Sequence, residues 1–499
     1  MKNIPFIATL LRHLGFSLLM LASLHSCDQF ETFNENPNEP TVVSPDVLLV
    51  SAIRSSMNTM VMESFLLGNN IAQLTAKTLR TEVDAYNWNA FPTLWEGLYY
   101  SLTDISQCEK IAKESGNETL EGASIVLRTW LFANLTNAYG DIPYFEAIAG
   151  ADNIFTPVYD DQSAIYNDML LQLQKATQLL DGNGNLDGDI LFNGDATRWK
   201  KLANSLQLRL LMLAGHKISD ASQQFAAIVA GGVFISSNDD NAALTYLGGF
   251  PNQFPLIPLK TGDFDAVALS QTALDAMSSS NDPRLLRYAR PDNDDFTQTP
   301  IFSGAVNGIN TGDCPKNGSR LGLAYWDAPG ATQASDWGLS QGDGIIMTYA
   351  ETSFILAEGV LKGWIEGDVE TYYREGIKAS MDYHRVDYDP FGWDDFDDYY
   401  QNSGVAYEQV TDVWQQKWLA LFFHGLEPYF ELRRWYHDVE GDWASLPFIN
   451  PSCGNLNNDA LPLRFLYPGE AQSLNIQHYQ AAVSKLGSDD QNARMWLVQ

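Results

Sequence analysis

From Pro45 to about residue 235, apolar residues return every three or four positions, the spacing that lays them along one face of an α-helix. Leu48, Leu49, Ala52, Ile53, Met57 and Met60 form the first stripe, and a second helix is expected over residues 64–80. Leu94, Leu98, Leu102, Ile105 and Ile111 form the next. Beyond the break at Glu114-Ser115-Gly116-Asn117, a partner helix is expected over residues 119–137. Asp160 or Asp161 can cap a helix carrying Ile165, Met169, Leu173, Ala176 and Leu180. Asp195 can cap one carrying Trp199, Leu202, Leu206, Leu210 and Leu213, because a side-chain oxygen there accepts from the free N–H groups of the first turn.

Residues 351–383 read as one further helix hairpin, with Phe354, Ala357 and Leu361 on its first arm, Tyr372, Tyr373 and Ile377 on its second, and Gly363 and Gly367 in the turn. Helix pairs of about 34 residues with small residues at packing points follow the tetratricopeptide pattern. A later helix, 411–424, carries Val413, Trp414, Lys417, Trp418 and Leu421. The expected fold is therefore mainly α: a tetratricopeptide-like helical-pair scaffold over residues 45–235 and 346–435, with long irregular, loop-rich insertions. Residues 236–345 are dense in Gly, Pro, Asn and Asp and lack the helical period. Residues 383–409 mix acidic and aromatic side chains, and 436–499 read as an irregular C-terminal part. Residues 45–499 are expected to form one unit, since the helix pairs flanking the insertion need each other to bury their faces.

The amino terminus has a different pattern. Lys2 and Arg12 precede an apolar run of eleven residues, Leu14 to Leu24, and Leu24-His25-Ser26-Cys27 follows. A membrane-crossing helix needs about 20 apolar residues, so residues 1–26 read as a cleaved lipoprotein signal peptide. Cys27 is the expected lipidation site, where several acyl chains give stable anchoring. Residues 27–44, with Asn36-Pro37-Asn38 and no periodicity, read as a tether.

Charge narrows the partners. The formal charge of −32 falls by two to −34 when Lys2 and Arg12 leave with the signal. Such a field repels phosphate backbones, so nucleic acid is excluded as a partner. Beyond Cys27, Cys108 falls on a helix face, while Cys314 and Cys453 lie in Gly/Asn/Pro-rich loops and can pair in an oxidising compartment; their spacing alone leaves the pairing open. No cysteine or histidine pattern marks a metal site, and HExxH, GxSxG, P-loop and dinucleotide-binding patterns are missing, so no catalytic residue is assigned. The run Asp181-Gly182-Asn183-Gly184-Asn185-Leu186-Asp187-Gly188-Asp189 offers the oxygens a calcium ion takes. It fails the EF-hand pattern, however, because Leu186 occupies the glycine position and Phe192 the bidentate glutamate position. A turn between helices is the simpler reading, calcium the weaker alternative, and no cofactor is expected.

Several segments together resemble one family, the SusD/RagB-like nutrient-binding outer-membrane lipoproteins of Bacteroidetes-type bacteria. They include Asn36-Pro37-Asn38, Tyr139-Gly140-Asp141-Ile142-Pro143-Tyr144, Tyr159-Asp160-Asp161-Gln162, and Gly194-Asp195 with Trp199-Lys200-Lys201-Leu202 and Leu208-Arg209. Tyr349-Ala350-Glu351, Gln416-Lys417-Trp418, Glu431-Leu432-Arg433-Arg434 and Leu461-Pro462-Leu463-Arg464 continue the series in order. The resemblance implies a protein that faces the cell exterior, captures oligosaccharides or oligopeptides and delivers them to a SusC-like TonB-dependent outer-membrane transporter, without catalysis. Trp435-Tyr436-His437 and the acidic-aromatic loop 387–400 depart from the family's pattern, so ligand identity does not carry over.

Arg209, Arg433, Arg434, Lys200 and Lys201 are read as ion-pair anchors rather than ligand contacts. The expected ligand contacts are aromatics in irregular segments: Tyr86 and Trp88 in the loop joining the first two helix pairs, and Tyr325, Trp326 and Trp337 in the insertion. Aromatic faces suit sugar rings and peptide backbones alike. Two other readings fit the sequence: a surface-tethered glycosidase or peptidase, and a helical-repeat interaction protein that binds no nutrient.

Overall fold

The computed structural model describes residues 43–247, 249–293, 299–322 and 342–499. The signal segment, Cys27 and most of the tether lie outside the described residues, and residues 45–499 cluster as one compact unit.

Helices α1 (Pro45–Glu63), α2 (Pro92–Ser115), α3 (Glu118–Tyr139), α4 (Gln162–Leu179) and α5 (Ala196–Ala214) stack in chain order, each packed on the next. Their leucine stripes explain the stacking. Leu94, Leu98, Leu102 and Ile105 are fully buried along α2, and the stripe closes on Ala112, with Ile111 only half-buried. Asn117 caps α3 by accepting from Leu120 N at 3.0 Å, and Asp195 caps α5 by accepting from Thr197 N at 2.9 Å and Arg198 N at 3.2 Å. Asp161 stands at the N-cap of α4 without a side-chain capping bond. Gly140, at φ 89°, ends α3 in a conformation a side chain resists, and its N–H returns to Thr136 O at 2.8 Å.

The helix expected over residues 64–80 is not there. The first helix runs straight on through a π-helical turn, Ser64–Gly68, and a short α-helical piece, Asn69–Ile71, and the chain then enters strand β1 (Thr75–Lys77). Contacts distant in sequence set this turn. Gly425 N donates to Ser64 Oγ at 2.7 Å, and Gly68 lies so near Gly425 that an added Cβ would overlap the Gly425 carbonyl oxygen.

After α6 (Ala221–Gly231), the loop-rich insertion is stitched to the scaffold by two short antiparallel ladders. Strand β2 (Ala242–Thr245), near its entrance, pairs with β4 (Asp343–Met347) at its exit, while β3 (Val267–Leu269) pairs with β1 in the register Thr75↔Leu269. Helix α7 (Gln271–Ser278) follows β3, capped by Ser270 Oγ, which accepts from Ala273 N at 2.8 Å. Cys314 and Cys453 form a disulfide that ties the insertion to the C-terminal part, and Cys108 is a buried free thiol.

The second half of the scaffold is the hairpin α8 (Tyr349–Leu361) and α9 (Val369–His384), followed by α10 (Phe396–Asn402), α11 (Val410–Ala420) and α12 (Glu427–Asp438). Helix α12 packs on both α5 and α11, so the two halves close on it. A ring of buried charges fixes this junction. Lys417 Nζ lies 3.0 Å from Glu358 Oε1 and 2.9 Å from Glu431 Oε1, and Arg434 Nη2 donates to Glu358 Oε2 at 2.6 Å and also reaches Glu431. Arg209, Lys200, Lys201 and Arg434 therefore pair with Glu351, Asp181, Asp240 and the Glu358/Glu431 pair. Arg433 differs: its Nη1 donates to the carbonyls of Asn137 at 2.7 Å and Leu463 at 3.0 Å. The part expected to be irregular, 436–499, also holds helix α13 (Ile476–Leu486) and contributes Phe465 and Tyr467 to the core.

Candidate ligand-binding site

Tyr86 and Trp88 do not form a ligand platform. Tyr86 is fully buried, its hydroxyl donates to Ile71 O at 3.0 Å, and burial pushes its phenol above the usual range. Trp88, 6% exposed, donates from Nε1 to Val83 O at 3.1 Å, and its ring meets Phe91, Tyr429 and Phe465 edge-on at 5.4–5.7 Å. Both rings plug their loop onto the scaffold, because burying so large an apolar surface outweighs displaying it. Tyr325, Trp326 and Trp337 lie outside the described residues. The strand-like stretch before them is anchored through Arg320, whose Nε donates to Asp265 Oδ1 at 2.6 Å, and through Gly322 N, which donates to Tyr288 O at 2.7 Å.

Aromatic residues of both departures from the family's pattern are packed on the scaffold, while Asp387, Asp389, Asp394, Asp395 and Asp397 stay exposed. Trp435 is fully buried and stacks on Trp414 at 6.0 Å. In the acidic-aromatic loop, Trp393 Nε1 donates to Asn281 O at 2.9 Å and Tyr399 donates to Asp282 Oδ2 at 3.2 Å, which docks α10 onto the insertion.

A concave feature that the sequence did not reveal lies where Gln73, α7, α11, the 306–307 loop and the 447–453 loop converge. It is a cleft of about 450 Å³. Gln73, at the end of the first helix with φ 56°, organises it. Its Nε2 donates to Asn450 O at 2.6 Å, its Oε1 accepts from Thr272 Oγ1 at 2.9 Å, and Tyr86 Oη lies behind it at 3.5 Å. Asn307 Nδ2 donates to Thr75 O at 2.8 Å and Cys453 N donates to Asn307 O at 2.8 Å, so the disulfide and this bridge hold two walls together. Asn307 Oδ1 and Ser452 Oγ have no hydrogen-bond partner among the described residues, although the two residues are only 3% and 4% exposed. Behind Asn307, burial pushes Asp84 up to about 7 against the opposing pull of Lys316, 4.0 Å away, and of the Lys77 N–H at 2.7 Å.

The Asp181–Asp189 turn uses its oxygens on the protein itself. Asp189 accepts from Leu191 N and Gly194 N and from Trp199 Nε1 at 2.9 Å, and Asn117 Nδ2 donates to Asn185 O at 3.0 Å. Among the described residues, no group of three or more His, Cys, Asp or Glu side chains is arranged to hold a metal ion, and no helix is long and apolar enough to cross a membrane.

Compared with known families, residues 37–468 match the SusD-like profile described as starch-binding and associating with the outer membrane. The fold is similar to an outer-membrane protein of Bacteroides vulgatus described as probably involved in nutrient binding, with 26% identity and a TM-score of 0.75 over 92% of this chain and 100% of that one. It is similar to a SusD homologue of Bacteroides fragilis, at 24% identity and TM-score 0.72 over 89% and 100% of the two chains. A chitin-binding SusD homologue of Flavobacterium johnsoniae aligns at 19% identity and TM-score 0.73 over 90% and 98%. Among curated proteins, none matches.

Proposed function

Because the chain belongs to the SusD-like family of starch-binding proteins that associate with the outer membrane, we propose that it is a lipid-anchored nutrient-binding protein of the cell exterior. In this reading it captures oligosaccharides or oligopeptides and passes them to a SusC-like TonB-dependent barrel, without cleaving them. The observation that carries the reading is the family match across residues 37–468, on a mainly helical scaffold that presents a loop-rich insertion. Loops held on a rigid scaffold are where binding residues concentrate. Tyr325, Trp326 and Trp337 are the proposed aromatic contacts, and Cys27 is the proposed acylated anchor. Capture followed by hand-over requires release, which moderate affinity from an aromatic surface allows.

Fractionation of cells expressing the wild type and Cys27→Ala tests the placement. The wild type is expected in the outer membrane, accessible to added protease and co-purifying with a barrel, and Cys27→Ala is expected to leave the membrane fraction. Wild type confined to the periplasm, or Cys27→Ala still membrane-bound, contradicts it.

A further inference from the structure

The cleft around Gln73 is built from amides and hydroxyls. Gln415 and Asn450 present side-chain amides to it, and Thr272 supplies a hydroxyl on the α7 side. Among the described residues, no Lys, Arg or His lines it, and the one charged residue that does, Asp275, accepts from Gln271 Nε2 at 2.7 Å. Phe448 and Val306 add apolar wall. Asn307 Oδ1 and Ser452 Oγ, two buried polar atoms without a partner among the described residues, belong to residues of its wall.

We propose that this cleft is a ligand site, and that it takes an uncharged, hydroxyl-rich unit, one ring of a neutral saccharide. The chemistry follows from the lining. Side-chain amides and hydroxyls both donate and accept, which matches neighbouring sugar hydroxyls. Among the described residues a carboxylate or sulfate meets no cation there, and it meets Asp275 within a chain of formal charge −32. The volume of about 450 Å³ lies in the range of small-ligand pockets. The choice of a saccharide rests on the nutrient-capture reading; the site itself is read from the cleft.

Calorimetric titration of the full mature chain with malto-, cello-, xylo- and chito-oligosaccharides, an oligogalacturonate and a tripeptide mixture tests this. The variants are Gln415→Leu and Asn450→Ala, which remove polar contacts, Ala276→Trp, which fills the cleft, and Trp326→Ala, in the insertion. Urea midpoints confirm that each variant is folded, and Ala276→Trp keeps the test decisive if a polar variant is not. A neutral oligosaccharide should bind, weakened roughly 5- to 10-fold by each polar variant and abolished in the cleft by Ala276→Trp. Saccharide binding unchanged by every cleft variant but lost in Trp326→Ala overturns the cleft and leaves nutrient capture standing. Oligogalacturonate or peptide binding that the cleft variants weaken overturns the ligand class. No binding by any probe overturns both readings.

Discussion

Arg209 forks onto Glu351 through Nε and Nη2, each at 2.6 Å, and so joins α5 to α8 across the whole insertion. The same Nη2 donates to Ile346 O at 2.7 Å, which adds β4 to the junction. Both side chains are buried, and burial pushes the neighbouring Glu427 upward although Arg209 stands 3.7 Å away. Removing Glu351 leaves the buried Arg209 without its forked partner, with only the longer contact to Glu427 to offset its charge. Glu351→Ala should therefore cost about 3–5 kcal/mol, read as a lower urea midpoint at unchanged slope. A loss within a few tenths of a kcal/mol would show that the pair is not a structural joint.

Glu63 gives the pH dependence of stability an unusual sign. It is buried on α1, its Oε2 has no partner among the described residues, and burial pushes its carboxyl from 4.5 to about 8. The folded protein holds this proton more tightly than the unfolded chain does. Its favourable contribution is thus complete below pH 4.5 and is lost as pH rises through about 8, at a slope approaching ~1.4 kcal/mol per pH unit. Glu63→Gln should be more stable than wild type at pH 8–9, with the advantage shrinking toward pH 5. Parallel stability curves for the two proteins would contradict it.

The disulfide Cys314–Cys453 spans a separation of 139 residues, so it removes much conformational freedom from the unfolded chain. Reduction, or Cys453→Ser, should lower stability by about 2–5 kcal/mol. Because Cys453 and Asn307 share a cleft wall, hydrogen exchange should rise in the 306–314 and 450–455 segments and stay unchanged in α2 and α3. Uniform exchange across the molecule would mean that the bridge does not act locally.

Trp88→Ala should cost about 3–5 kcal/mol of stability, since the ring lies among Phe91, Tyr429 and Phe465. The folded fraction should bind ligand as wild type does. Weakened affinity at unchanged stability would restore Trp88 as a contact.

The contrast between Trp88 and Leu94 shows what the sequence can express. Leu94 belongs to a stripe with Leu98 and Leu102, and such a stripe has one structural meaning, a buried helix face. Trp88 stands alone in a loop, where a plug and a platform have the same local pattern. Helix α12 misleads for another reason: Glu427, Glu431 and Arg434 form a polar stripe at helical spacing, and that stripe faces buried charges rather than solvent. The helix expected over residues 64–80 gave way to a π-helical turn because of Gly425, far along the chain. The cleft was the least legible feature. Gln73 meets Asn450 across 377 positions, and Cys314 with Cys453 alone hinted that those segments converge.

The most direct test of nutrient capture is to purify the protein from its native membrane and identify by mass spectrometry what remains bound, then return that material to the pure protein. Intact oligosaccharide or oligopeptide, recovered at unchanged length after incubation, is the predicted result. Shortened products, or protein that never retains either class of molecule, would contradict it.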